Sequence, residues 1–79
     1  MRPIEEIIHY AAYKRGIPAD WVYGKREHAN SKSSVLLRGA VCHAAKADGW
    51  SEAEIGRALS IDPSSVNRAA KRFEGKKHA

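Results

Sequence analysis

The short gap between the last two predicted helices constrains the fold more than any other feature of this sequence. The stretch "SEAEIGRALSIDPSSVNRAAKRF" predicts a helix from Ser51 to about Leu59, opened by a capping box with Glu54. A second helix is predicted from Asp62, a good N-cap, to Phe73 or Glu74. Only Ser60 and Ile61 separate them. So short a connection makes two helices cross at a steep angle, as in a helix-turn-helix unit.

The apolar residues of this segment agree with that arrangement, because they recur at helical spacing and can form a shared core. They are Ile55, Leu59, Ile61, Val66 and Ala69. Gly56 falls in the middle of the first helix, where glycine costs about 1 kcal/mol relative to alanine. We therefore expect the two helices to approach so closely at Gly56 that a side chain would clash.

If those apolar positions are buried, the polar residues of the last helix point outward. The start of such a helix is the part that enters a DNA major groove. There Asn can form hydrogen bonds with adenine, Arg can form them with guanine, and Ser can form them with either base. The candidate base readers are Ser64, Ser65, Asn67 and Arg68. The candidate backbone contacts are Lys25, Arg26, Lys32, Lys46, Lys71 and Arg72.

The rest of the chain also predicts helices, since strand-like alternation is nearly absent. A first helix is expected from Pro3 to Lys14, ending at Gly16, and "IPADWVYG" predicts a short helical turn. The polar segment Lys25–Ser34 predicts a basic loop, and a central helix follows from Ser33 or Ser34 to Asp48. We expect an all-α, compact bundle of about five helices: one domain over residues 1–75, with the helix-turn-helix at 51–74 and a basic tail at 76–79.

The charge of the chain favours a polyanionic partner. Fourteen Lys and Arg against nine Asp and Glu give a formal net charge of +5 on 79 residues. An excess of this size is typical of nucleic-acid binders, although it also keeps small proteins soluble. The N-terminal stretch lacks the apolar run of a signal peptide, and nothing approaches membrane-spanning length, so a cytoplasmic protein is expected.

The patterns of the histidines, the cysteine and the tryptophans favour structural roles over catalysis or metal binding. No two of the four histidines stand three or four residues apart, so no zinc-binding pair is expected on a helix. Cys42 is the single cysteine and is expected to be a partly buried, unreactive thiol. Trp21 and Trp50 are expected to anchor the core rather than stack on bases. We expect neither an enzyme nor a cofactor.

The chain from Ile4 to Phe73 also resembles the C-terminal DNA-binding domain of the replication initiator DnaA. The similar pieces are Tyr10 and Tyr13 in the first helix, "ADWVYGKRE" before a basic loop, Ala44-Ala45-Lys46 in the central helix, and "EIG" followed by "DPSSV". The family's Gly-Gly-Arg before the aspartate is absent, and Pro63 replaces its base-contacting histidine.

This resemblance implies double-stranded DNA as the partner, with the second helix of the unit in the major groove and an arginine of the basic loop in the minor groove. Arg26 or Lys25 matches that loop residue, and Lys46 and Ser51 match backbone-contacting positions. The run that matches the base contacts is Asp62, Pro63, Ser64 and Ser65. The chain contains no nucleotide-binding domain, so the resemblance implies no ATP-driven role.

Together these observations predict a sequence-specific double-stranded DNA binder that acts in transcriptional regulation or replication control in a bacterium or phage. A homodimer or a larger protein partner is compatible with them. One alternative is a protein-interaction adaptor, in which the helix-turn-helix is a scaffold and the helix with Ile4, Ile7 and Tyr10 docks a partner. A further alternative is RNA binding, which the deep and narrow A-form groove disfavours.

Overall fold

The computed structural model describes the backbone of residues 1–23 and 31–78 and the side chains of residues 1–23 and 31–75. This part of the chain is all-helical. Its four α-helices are α1 (Ile4–Arg15), α2 (Lys32–Ala47), α3 (Glu52–Leu59) and α4 (Pro63–His78), and a 3₁₀ turn spans Ala19–Val22. The all-α class is therefore confirmed, and the short helical turn predicted for "IPADWVYG" is the 3₁₀ turn. The last two predicted helices are α3 and α4.

α1 ends as its sequence predicts. Gly16 adopts the left-handed conformation at φ 67°, and the cap residue's N–H bonds back to the last turn. Pro3 precedes the helix rather than opening it. The face of α1 that packs inward contains Ile7, Ile8, Ala11 and Ala12, all buried.

α2 begins earlier than predicted, and this corrects the assignment of Lys32 to a loop. The N-cap is Ser31, whose hydroxyl oxygen accepts the backbone N–H of Ser34 at 3.1 Å. Ser34 itself lies inside the helix and is fully buried. Three serines in four residues are all acceptable N-caps, so the local sequence does not decide among them. Lys32 is therefore the first residue of α2, and its side chain is exposed.

α2 is the central helix, as predicted. It packs against α1, the 3₁₀ turn, α3 and α4, and its residues Leu37, Val41, Cys42 and Ala45 are completely buried. Cys42 was expected to be only partly buried, but the helices around α2 also cover the side of α2 on which it lies. The core also takes in Val22 from the 3₁₀ turn, and both Trp21 and Trp50 pack against it, partly buried.

The N-terminal residues are fastened to the junction between α2 and α3. The indole N–H of Trp50 donates to the carbonyl oxygen of Arg2 at 2.8 Å, and the backbone N–H of Arg2 donates to the Asp48 carboxylate. Gly49, predicted to allow a left-handed turn, has a positive φ of 108°. Trp50 therefore combines packing against the core with a hydrogen bond to a segment distant in sequence.

α4 continues past the predicted stop at Gly75 and ends at His78. Gly75 has no positive φ, so it takes helical geometry rather than the left-handed geometry of a helix end. A glycine permits a helix to stop but does not require it. Residues 76–78, expected as a basic tail, continue the helix.

Candidate nucleic-acid interface

The turn between α3 and α4 is built from the residues predicted for it. Ser51 caps α3 by accepting the backbone N–H of Glu54 at 3.1 Å. At the other end of α3, Ser60 takes the left-handed conformation at φ 61°, the single non-glycine residue of the described chain with positive φ. The backbone N–H groups of Ser60 and Ile61 both donate to the carbonyl oxygen of Gly56.

Gly56 allows this turn to lie directly against α3. A Cβ atom at position 56 would stand 2.6 Å from the carbonyl oxygen of Ile61 and 3.4 Å from backbone atoms of Asp62 and Pro63. The expected close approach is therefore present, but it is made to the backbone of the turn rather than to the body of α4. The predicted core residues of the unit are also in place: Ile55, Leu59 and Val66 are fully buried, while Ile61 and Ala69 pack against the core, partly buried.

Burial of Val66 and Ala70 fixes which side of α4 faces solvent. The 3.6-residue period determines which residues lie on the opposite side of the helix, and these residues are exposed. The exposed predicted site residues of α4 are Pro63, Ser64, Arg68, Lys71 and Arg72. Ser65 and Asn67 are half-buried and flank this face on its two sides. Ser65 borders the concave surface of the turn, which Gly56, Ile61 and Asp62 also line.

Asn67 lies in a polar contact that joins three helices. The Lys46 ammonium, at the end of α2, is 3.2 Å from Oδ1 of Asn67 on α4 and 3.1 Å from Oε2 of Glu52 on α3. The side chains of Lys46 and Glu52 remain 35% and 41% exposed, so water screens this ion pair. Asn67 is thus held by Lys46 through the oxygen that would accept a hydrogen bond from adenine.

Glu52 was not predicted as a partner of Lys46. The two residues stand six positions apart across the α2–α3 junction, a spacing that is not a helical neighbour spacing. Only the relative placement of the helices brings them together. The contact gives Lys46 a structural partner, and its role at the DNA backbone stays a prediction.

The predicted cations are spread along α2 and α4. α2 and α4 run in opposite directions where they pack, because Lys46 meets Asn67 while a Cβ at Gly39 would lie 3.1 Å from that of Phe73. Lys32 and Lys46 stand at opposite ends of α2, about 21 Å apart at 1.5 Å per residue. Lys32 is therefore at the end of α2 that points toward the C-terminal half of α4. Lys25 and Arg26 lie outside the described residues.

Two ionisable groups of α2 have pKa values altered by burial. Burial raises the pKa of the Cys42 thiol to about 12, although the nearby positive charges of Arg38 and Lys46 act in the opposite direction. Burial also lowers the pKa of Arg38, which lies one helical turn before Cys42. The thiol is therefore protonated at neutral pH and carries none of the thiolate reactivity of redox cysteines.

The described residues contain no group of three His, Cys, Asp or Glu side chains placed to hold a metal ion. Among the same residues, no helix has both the length and the apolar character needed to cross a bilayer. Comparison of the chain with protein-family models, curated proteins and solved structures finds no match. The resemblance to the initiator's DNA-binding domain therefore stays a prediction.

Proposed function

We propose that this protein binds double-stranded DNA in a sequence-specific manner, with α3 and α4 acting as a helix-turn-helix unit. The observation that carries the proposal is the exposed first half of α4. Val66 and Ala70 bury one side of the helix, and Ser64, Arg68 and Lys71 share the opposite side. A helix start with free polar side chains and a cationic flank has the chemistry that a major groove accepts.

The roles within this surface follow from the exposure of each side chain. Arg68, with its planar fork of donors, is the candidate for bidentate contact with guanine, and Ser64 and Ser65 are the candidates for adjacent base edges. Lys71 and Arg72 on α4 would hold phosphates. The other proposed backbone contacts are Lys25, Arg26, Lys32, Lys46 and Ser51, and Pro63 stands beside the base readers at the start of α4.

Asn67 has a conditional role in this proposal. Lys46 occupies its side-chain oxygen, so a bidentate contact with adenine requires Lys46 to release it. A phosphate near the start of α4 would compete for the Lys46 ammonium. We therefore assign Asn67 first to positioning α4 against α2 and α3, and to base reading only in the complex.

Selection of bound duplexes from a random oligonucleotide pool by the full chain tests this function. We expect one enriched motif, whose symmetry reports whether one or two copies bind. Enrichment of no motif, together with no gel retardation of random duplex DNA at low salt and micromolar protein, would contradict the proposal. Duplex RNA of the same sequence should compete poorly, since its deep groove does not admit a helix.

Variants of α4 then separate base reading from backbone holding. Arg68→Ala should cost about 1–3 kcal/mol on the selected site and relax one position of the motif. Arg68→Lys is the matched control, because it keeps the charge and loses the two-pronged geometry, so it should relax the same position with a smaller loss of affinity. Lys71→Ala should weaken all sequences alike and reduce the salt slope by about one. If both alanine variants bind DNA as tightly and as specifically as the parent, α4 does not lie in the major groove.

The biological role that fits such a binder is transcriptional regulation or replication control, without catalysis, in the cytoplasm of a bacterium or of a phage's host cell. A second candidate function is a protein-interaction adaptor. It is favoured by α1, on which Tyr10 and Tyr13 are 57% and 88% exposed. Ile7 was expected on that docking surface but is buried in the core, so Tyr13 would join Tyr10 there in its place. Gel retardation by random DNA distinguishes the two functions.

A further inference from the structure

One groove of the described structure contains none of the residues that are proposed to contact DNA. It has a volume of about 430 Å³ and lies between α1 and α2, with Phe73 of α4 at its inner wall. Its floor is apolar and is formed by Ile7 together with three small residues, Ala11, Ala40 and Ala44. Tyr10, more than half exposed, stands at its outer wall.

The charged residues that line this groove all carry the same sign. Arg2 precedes α1, and Lys14 and Arg15 stand in its last turn, so these cations lie at opposite ends of the groove. No Asp or Glu is among the lining residues. Lys14 sits 5.9 Å from the centre of the Tyr10 ring, and Arg15 sits 5.5 Å from the centre of the Phe73 ring. Aromatic rings, rather than carboxylates, therefore stand beside two of the cations, which leaves their charge unneutralised within the groove.

The length of the groove indicates what kind of ligand would match it. From Ile4, two residues after Arg2, to Lys14 the helix α1 rises about 15 Å at 1.5 Å per residue. A small organic anion could reach the cations at one end of the groove only. An extended peptide advances about 3.3 Å per residue, so five or six residues would reach both ends.

We propose that this groove binds an acidic segment of a partner protein, with acidic side chains at both ends and a bulky apolar side chain between them. The apolar side chain lies on the apolar floor between Tyr10 and Phe73. The carboxylates pair with Arg2 at one end and with Lys14 and Arg15 at the other. Tyr and Arg are enriched at binding hot spots, and both residue types line this groove. The inference does not rest on DNA binding, because none of its residues belongs to the proposed DNA surface.

The test uses the full chain and two fluorescein-labelled peptides, EEFLDEE and its uncharged counterpart QQFLNQQ, in anisotropy titrations at low salt. We expect the acidic peptide to bind about ten-fold more tightly, a ratio built from three partly exposed ion pairs. Raising the salt concentration should narrow this difference. Equal binding by the two peptides, or binding by neither, would overturn the proposal.

Matched variants locate the binding. Lys14→Glu should weaken the acidic peptide about five-fold, whereas Arg57→Glu makes the same charge change on the exposed surface of α3 and should leave it unaltered. Tyr10→Ala should weaken both peptides at least about three-fold, and its exposure makes unfolding a poor explanation for the loss. Equal losses in Lys14→Glu and Arg57→Glu would overturn the assignment.

Two further outcomes would assign the groove to another occupant. Displacement of the bound acidic peptide by duplex DNA would make the groove part of the DNA surface. A peptide-free dimer, seen by sedimentation and dissolved by Lys14→Glu, would make it an interface between copies of this chain. The proposal expects the peptide and DNA to bind the same molecule together, and it expects Lys14→Glu to leave the sedimentation coefficient unchanged.

Discussion

Replacement of Gly56 by alanine is the sharpest test of how the α3–α4 turn is built. In an ordinary helix interior this change stabilises by about 1 kcal/mol, because alanine has the higher helix propensity. Here the new Cβ would stand 2.6 Å from the carbonyl oxygen of Ile61. That oxygen belongs to the backbone of a turn whose N–H groups bond back to Gly56, so it cannot swing aside as a flexible side chain would.

The expected magnitude follows from these two opposing terms. Overpacking of a tight site costs about 1–3 kcal/mol, and a contact with backbone belongs at the upper end of that range. After the gain in helix propensity is subtracted, Gly56→Ala should lower the free energy of unfolding by about 2 kcal/mol. For a domain of this size the melting temperature would fall by about 8–16 °C.

Urea unfolding followed by tryptophan fluorescence and by circular dichroism measures this change. Gly75→Ala is the matched control in α4, because a Cβ there meets no atom within 4 Å, and it should be neutral or mildly stabilising. Ala58→Gly, at an exposed position of α3, calibrates the propensity term and should cost about 1 kcal/mol. A Gly56→Ala variant as stable as the parent, or more stable, would show that the turn does not require this close approach.

Three other perturbations test separate features. Ser60→Gly should stabilise by about 0.5–1 kcal/mol in urea unfolding, because glycine relieves the left-handed strain at the cost of some unfolded-state entropy, and a loss of stability would contradict this. Lys46→Met should cost no more than about 1 kcal/mol, since the contacts with Glu52 and Asn67 are partly exposed, and a larger loss in the same assay would show a tighter network. Cys42 should resist Ellman's reagent at pH 8 until the protein is unfolded. Because its pKa is raised in the folded state, the thiol keeps its proton to a higher pH there than in the unfolded chain. The free energy of unfolding of the parent relative to Cys42→Ala should therefore fall as pH rises from about 8.5 toward about 12. A difference between the two proteins that does not change with pH would refute this.

The features that could be predicted from the sequence are those set by neighbouring residues. Gly16 and Ser51 act through their own backbone or the next turn, so their roles were visible in the order of residues. The close approach at Gly56 was also predicted, although its partner is the turn rather than the body of α4. The start of α2 was misplaced because Ser31, Ser33 and Ser34 are chemically equivalent caps, and tertiary packing decides among them.

The candidate site was predictable to a similar degree. The helical period of α4 correctly predicted that Ser64, Arg68 and Lys71 are exposed, because the buried side of a helix determines which residues lie on its outer side. The contact of Lys46 with Glu52 and Asn67 was not predictable, because it depends on how three helices lie relative to one another. The cationic groove was missed for the same reason: Arg2 and Phe73 share it only through the fold.

The hydrogen bond from Trp50 to Arg2 gives the molecule a built-in optical reporter. The wavelength of indole emission depends on whether the N–H donates a hydrogen bond. Detachment of the first residues would therefore shift the emission of Trp50 before any helix unfolds. With Trp21 replaced by phenylalanine, that signal would come from one chromophore, and an N-terminal tag that disturbed the attachment would reveal itself in the spectrum.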